Sequence, residues 1–321
     1  MINPWEDIAK PSANLNVRLV GVEHPLRFYW GVDAQGSYLF VYDALMSGIP
    51  DKKSMPNLSG IGIHVIPEGK RGKLALILEQ RSDWEIFHSL CMDLHRATAR
   101  VKDESNAPGI ILRRLQRWQE FLKRDRARIL SIEAIKGLIG ELLFLRNQIA
   151  PNFGWANAIS FWKGPEDAPQ DFAVNETAVE VKCQSGGSQP TVRINSQDQL
   201  TPQLPEGFLV VQTLAGSSGH GEGVFSLNTL IDDVRTMLEV EPDAARERFD
   251  DLVYLAGYVH SEKYDENQFT LVDTKSYALR EGFPRITSDQ IMAGVDKVSY
   301  SIRLEECEDF LEKPDWWGGD K

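Results

Sequence analysis

Cysteine is scarce in this chain of 321 residues: Cys91, Cys183 and Cys307 are widely separated and odd in number. Such a set builds no disulfide framework and fits reduced thiols in a cytoplasm. No CxxC pair or paired His/Cys spacing occurs, which removes the usual structural zinc sites. No apolar run approaches the roughly 20 residues of a membrane span. No basic segment followed by an apolar one opens the chain, so neither a membrane anchor nor a secretion signal is expected. Positive charge is also short. A formal net charge of -12 argues against a protein that simply coats nucleic acid. It leaves room for an enzyme that meets a polyanion through a local basic surface and a divalent metal. There is no sequence repeat and no low-complexity tract.

What is present is an ordinary soluble balance, with 42% hydrophobic and 26% charged residues, and length for one large or two ordinary domains. The first hundred residues read as β-rich. Apolar runs at Val17–Val22, Leu26–Val32, Tyr38–Leu45, Ile61–Ile66 and Leu74–Leu78 are separated by turn material. A helix is expected from Ser82, where Ser82 and Glu85 have capping-box spacing and Phe87, Leu90, Cys91 and Leu94 follow at helical intervals. His88 and His95 share a face of it without a third ligand, so a structural or surface role is expected of them. The polar stretch Lys102–Gly109 ends in Pro-Gly and marks a boundary between domains 1–103 and 109–321.

Two helices are expected next, near Ile110–Lys123 and Ser131–Ile149. The first carries Arg113, Arg114, Arg117, Lys123 and Arg124, followed by Arg126 and Arg128, with only Glu120 and Asp125 opposing them. This densest basic cluster is either a solvated helix face or a phosphate-contacting surface, with Arg113, Arg117 and Arg124 as the nucleic-acid-binding candidates. Further on, Phe208–Leu214 reads as a buried strand, Ser226–Val240 and Asp243–Leu255 as helices, and Phe269–Val272, Ser276–Leu279 and Val298–Leu304 as strands.

The segment from Pro169 to Lys182 carries the chemistry. Its alternation gives two short strands around a turn at Asn175-Glu176, and Asn tolerates the left-handed conformation that tight turns need. The register that keeps apolar and acidic faces apart sets Val174 beside Thr177, Ala173 beside Ala178, Phe172 beside Val179, and Asp171 beside Glu180. Two carboxylates so placed repel unless a cation lies between them or one binds a proton. Lys182 shares their face. Two acids and a lysine on one open face suit a hard divalent cation and a group that orients or deprotonates water. A surface Glu–Lys pair on an exposed hairpin is the alternative. On the preceding helix, Ile132, Ile135, Leu138, Ile139, Leu142 and Leu143 form an apolar stripe with Glu141 at its edge. Gly137 and Gly140 remove side chains around it, which points to close helix packing.

Gly140-Glu141 on a helix, then Asp171, then Glu180-Val181-Lys182, followed by a Gly-rich turn, resembles the PD-(D/E)XK nuclease superfamily. The chain is closer still to the bacterial PD-(D/E)XK motif proteins, which resemble restriction-type endonucleases found with phage-defence systems. The inserted Gln170 in Pro169-Gln170-Asp171 departs from the usual Pro-Asp. The resemblance implies an α+β fold: a β-rich N-terminal domain, then a restriction-endonuclease-like α-β-β-β-α-β core with C-terminal helical and strand additions. That core would comprise helix 131–149, the Asp171 strand, the Glu180/Lys182 strand, a helix near Ser196–Leu200 and the 208–214 strand. It implies Asp171 and Glu180 as ligands of Mg2+, with Mn2+ as a substitute. Lys182 would act on the attacking water, Glu141 would support the metal, and Gln184 would line the site or be a strand-end polar residue. DNA is the implied substrate, with a homodimer and other defence-system proteins as expected partners. A nuclease-fold subunit that binds DNA or assembles with others, and a structure-specific repair nuclease, are the competing readings.

Removing one arginine–phosphate pair should lower the salt slope of DNA binding by about one unit. Replacing Arg113, Arg117 and Arg124 by Gln should therefore weaken binding most at low salt, alike for all sequences. Affinity measured across a salt series checks this; an unchanged slope would make the cluster a solvated face.

Overall fold

A computed structural model describes residues 3–123, 130–187, 190–219, 221–295 and 298–318. The chain divides into two units, Met1–Ile129 with Val259–Ser261, and Leu130–Tyr258 with Glu262–Lys321. The fold is α+β. The polar stretch 102–109 lies inside the first unit rather than at its edge.

In the first unit the five apolar runs pair as an antiparallel sheet in the order β1-β2-β3-β5-β4, formed by β1 (Leu15–Leu19), β2 (Arg27–Asp33), β3 (Tyr38–Leu45), β4 (Ile61–Glu68) and β5 (Arg71–Leu78). Helix α1 (Trp84–Ala97) buries Phe87, Leu90, Cys91 and Leu94, the stripe its spacing dictates. The Ser82–Glu85 capping box does not form. Arg81–Asp83 is a 3-10 turn, and the Ser82 hydroxyl is diverted to Asp83 Oδ1 at 3.1 Å. His88 packs on Trp30 with ring centroids 5.4 Å apart, and His95 lies 4.0 Å from His24. Helix α2 (Ala107–Lys123) starts ahead of the expected Ile110, because Pro108 is tolerated in a first turn, where an amide has no partner to lose. Its Arg114 is buried and paired with Asp93 at 3.4 Å, and Trp118 Nε1 donates to the same carboxylate at 3.0 Å. Arg114 is thus a core residue, whereas Arg113 is exposed and Arg117 half-buried. Arg124, Arg126 and Arg128 lie outside the described residues.

The second unit opens with α3 (Ile132–Phe144), capped by the Ser131 hydroxyl, which accepts from the Ala134 amide at 3.2 Å. The expected single helix to Ile149 loosens into a π turn at Leu145–Ile149, then continues as α4 (Ala150–Phe153) and α5 (Trp155–Phe161). The hairpin of β6 (Phe172–Val174) and β7 (Thr177–Ser185) forms with the anticipated register, and Asn175 takes a φ of 53°. Next, β8 (Thr191–Ile194) leaves the main sheet. The helix expected near Ser196–Leu200 is a single 3-10 turn, Gln197–Leu200, with Pro202 just beyond it. The chain then returns as β9 (Glu206–Ser217), parallel to β7.

With β10 (Val224–Phe225) and β11 (Gln268–Ala278) the main sheet runs β10-β11-β9-β7-β6. The sequence pattern predicts two strands where β11 is one; its register shifts between Leu271 and Asp273, and Val272 is exposed there. Helix α6 (Leu227–Met237) follows a Ser226–Thr229 capping box, and α7 spans Asp243–Leu255 as the periodicity dictates. The last strand, β12 (Tyr300–Arg303), pairs with β8. The main sheet is covered on both faces. Val179, Val181, Phe208 and Val210 meet the stripe of α3, while Leu209 and Val211 meet Val192, Ile194, Leu200 and Phe283. Among the described residues no helix is long and apolar enough to cross a membrane.

The glycines of α3 differ. A Cβ on Gly140 would lie 2.5 Å from Cys183 Sγ, so α3 meets β7 there with no room for a methyl group, whereas a Cβ on Gly137 would meet nothing within 4 Å. The close packing expected of both belongs to Gly140 alone. Gly140→Ala should cost about 1–3 kcal/mol through overpacking, partly recovered by Cys183→Ala. Gly137→Ala should gain roughly 0.5–1 kcal/mol from the helix backbone. Urea unfolding of the variants measures both.

Candidate active site

The hairpin register decides where the acids go. Phe172 opposes Val179, so Asp171, one residue before β6, belongs to the side chains that alternate with Phe172 and lie opposite Glu180. Its Oδ2 accepts from the Val181 amide at 2.8 Å, which ties the carboxylate to the neighbouring strand. Glu180 and Lys182 share a face of β7, and Lys182 Nζ donates to Glu180 Oε1 in a tight ion pair. The face is not open as expected. Glu180 is 1% exposed, because the apolar cover from β8 and the 3-10 turn at 197–200 lies on that side of the sheet. Asp171 and Glu141 keep partial exposure.

The loop between α5 and β6 completes the arrangement. The Lys163 and Gly164 amides donate to the Asp171 carbonyl at 2.7 and 2.9 Å. Trp162, fully buried, donates its Nε1–H to Glu141 Oε2 at 2.7 Å. Gln170, the inserted residue, is buried and donates to the Asp198 carbonyl at 2.6 Å, fastening the start of β6 to the 197–200 turn. Gln184 continues the Glu180–Lys182 face and donates to Thr213 Oγ1 at 2.9 Å, with its own Oε1 buried and unpartnered. Sequence reasoning missed Trp162, Lys163 and Gly164. The Gly164-Pro165 pair signalled a turn close to the acids, but nothing local showed that Trp162 reaches back to a helix.

Charge does not balance here. Burial raises the pKa of Glu180 well above the carboxylate range, and the Asp171 charge adds to it. Burial, then Asp171, lifts Glu141 to about 8, against the opposing pull of the Trp162 hydrogen bond and Lys182. Asp171 is also raised, chiefly by burial. Burial works against the Lys182 charge, yet Glu180, Asp171 and Glu141 together hold its pKa above the ordinary lysine value. Three carboxyl groups thus face one ammonium, and a second cation or bound protons must supply the difference. Glu180 Oε2 is buried with no hydrogen-bond partner, an acceptor left open. A Cβ on Gly164 would sit 2.8 Å from both Asp171 Oδ1 and Glu141 Oε2, so those two oxygens line one small space. The donors are all oxygen. Among the described residues no three His, Cys, Asp or Glu side chains form a ready metal cage. The fit is therefore to a hard ion that takes one or two carboxylates and keeps several waters, as Mg2+ does.

A carboxyl whose folded pKa is raised binds protons that the unfolded chain has released, so its contribution to stability is lost as pH rises. For Glu141 the window runs from its ordinary 4.5 to about 8. The metal-free protein should lose stability across it, and Glu141→Gln should flatten the profile and gain on the order of 2–4 kcal/mol at pH 8. Denaturant unfolding at a series of pH values checks this; an unchanged slope in the variant would refute it.

The residues predicted from sequence to act together, Asp171, Glu180, Lys182, Glu141 and Gln184, gather around β6, β7 and α3 of the second unit. Arg113 and Arg117 are in the first unit. No curated protein and no solved structure matches the chain. A family model described as "Putative PD-(D/E)XK family member, (DUF4420)" matches residues 1–305, spanning nearly the whole chain and every acid of the site. On this match over residues 1–305, the chain belongs to that family.

Proposed function

We propose that the protein is a divalent-metal-dependent nuclease that hydrolyses phosphodiester bonds of DNA, with Mg2+ as its ion and Mn2+ as a working substitute. The observation that carries the reading is the gathering of Asp171, Glu180 and Lys182 beside a carboxyl-lined space with unbalanced negative charge. Asp171 and Glu180 would hold the ion, and Glu141, steadied by Trp162, would support it. A bound divalent cation supplies Lewis-acid polarisation and lowers the pKa of water. The chain's own groups do the rest. Asp171 is fixed by the Val181 amide and stays an acceptor through its other oxygen. Lys182, held charged by its acidic neighbours, orients the attacking water and stabilises charge developing on the phosphorus oxygens. Gln184 has a carboxamide oxygen available to line the same face. Cutting both strands with one such centre per chain calls for two copies, so a homodimer on DNA is the working assembly. Restriction of invading DNA, with other defence proteins, is the setting that the family resemblance supports.

One observation favours a second reading, a DNA-binding or assembly subunit whose cleavage depends on partners. Glu180 is sealed, and Lys182 is spent on pairing with it. A site closed in this way needs an opening step before it can cut.

Purified protein with supercoiled and linear DNA, with Mg2+, Mn2+ or EDTA, tests the proposal. Wild type should cut with either ion and not with EDTA, and Lys182→Ala should lower the rate by roughly 10²–10³-fold while DNA binding persists. Equal cutting by wild type and Lys182→Ala would end the nuclease proposal for this centre. Binding without cutting by wild type would favour the subunit reading.

A further inference from the structure

We infer that Gly164 is a positioning residue: its missing side chain sets the spacing between Asp171 and Glu141, and with it the capacity of the site for a small divalent cation. The inference rests on the proposed metal-dependent reading.

Gly164 is not among the glycines with positive φ, so a left-handed backbone is not what calls for it. Space explains it. The position of a Cβ falls 2.8 Å from Asp171 Oδ1, 2.8 Å from Glu141 Oε2 and 3.4 Å from the Asp171 Cα. Two of these neighbours are carboxylate oxygens from different elements, one on α3 and one before β6. They approach the same point because the loop holds them there. Trp162, two residues earlier, fixes Glu141 Oε2 through its indole N–H. The Lys163 and Gly164 amides fix the backbone of Asp171. The turn Trp162-Lys163-Gly164 therefore grips both acids, and at its third residue leaves empty the volume between their oxygens. A methyl group there would press against the two carboxylates, which are the parts free to yield. The gap would be filled with hydrocarbon and the oxygens turned away from each other. By contrast a Cβ on Gly137, also near the site in sequence, meets nothing within 4 Å.

The test is a Mn2+ titration of the full-length, DNA-free protein, read by the electron paramagnetic resonance of the free aquo ion, with metal-free melting temperatures alongside. Gly164→Ala should melt within a few degrees of wild type and bind Mn2+ about tenfold or more weakly, the range typical of disturbed support around metal ligands. Gly137→Ala should bind as wild type does. A folded Gly164→Ala protein with wild-type Mn2+ affinity overturns the inference. If Gly164→Ala instead lowers the melting temperature sharply, removing the opposing carboxylate in a Glu141→Ala/Gly164→Ala protein should restore it, and no restoration also overturns the inference. Wild type that binds no Mn2+, or whose binding survives Asp171→Asn, brings down the metal-dependent reading itself and this inference with it. That outcome is separable, because it requires no change at Gly164.

Discussion

Repulsion among Glu141, Asp171 and Glu180, offset by the single ammonium of Lys182, is the constraint around which the second unit is built. Water would screen such a cluster on a surface. Here Glu180 is buried and Asp171 and Glu141 are only partly exposed, so each carboxyl needs a partner or an elevated pKa. Asp171 has the Val181 amide, Glu141 has the Trp162 indole, and Glu180 has Lys182 on one oxygen only. Folding therefore assembles a site under electrostatic stress, and the surrounding packing must hold it.

That packing comes from three devices. The hairpin at Asn175 sets Asp171 opposite Glu180 by register alone. Gly140 lets α3 lie against β7 at Cys183, which carries the adjacent Glu141 to the edge of the sheet. The crossover that makes β9 parallel to β7 brings the 197–200 turn over the acid face, fastened by Gln170 to Asp198 and by Arg285, which donates to the Leu200 carbonyl at 2.7 Å. Each of these fixes where one member of the charged cluster can be.

How much of this is readable from residues depends on range. The hairpin is legible because period-two alternation and Asn175 act within a few residues, and α7 because its apolar spacing is complete in itself. The burial of Glu180 is not, since the apolar cluster of Val192, Ile194, Leu200 and Phe283, packed with Leu209 on its side of the sheet, comes from later segments that alternation at 177–182 says nothing about. Arg114 looks like its basic neighbours and proves to be a core ion pair, because Asp93 belongs to another helix. Ser82 has the spacing of a cap, but the neighbouring Asp83 takes its hydroxyl. The role of Trp162 requires knowing that its loop returns to α3. The helix expected at 196–200 shrinks to one turn beside Pro202, where the chain has little length for more.

The parallel pairing of β7 with β9 also orders events in time. The β6–β7 hairpin closes a two-residue turn, and local pairings of that kind form on a microsecond scale. Strand β9 joins only after the chain from Gly186 to Pro205 has looped back, and β11 must then arrive from beyond α7. Non-local pairings of this sort come later. Until that crossover closes, the acids of β6 and β7 lack the cover that later segments bring. The centre matures last, when the sheet around it is complete.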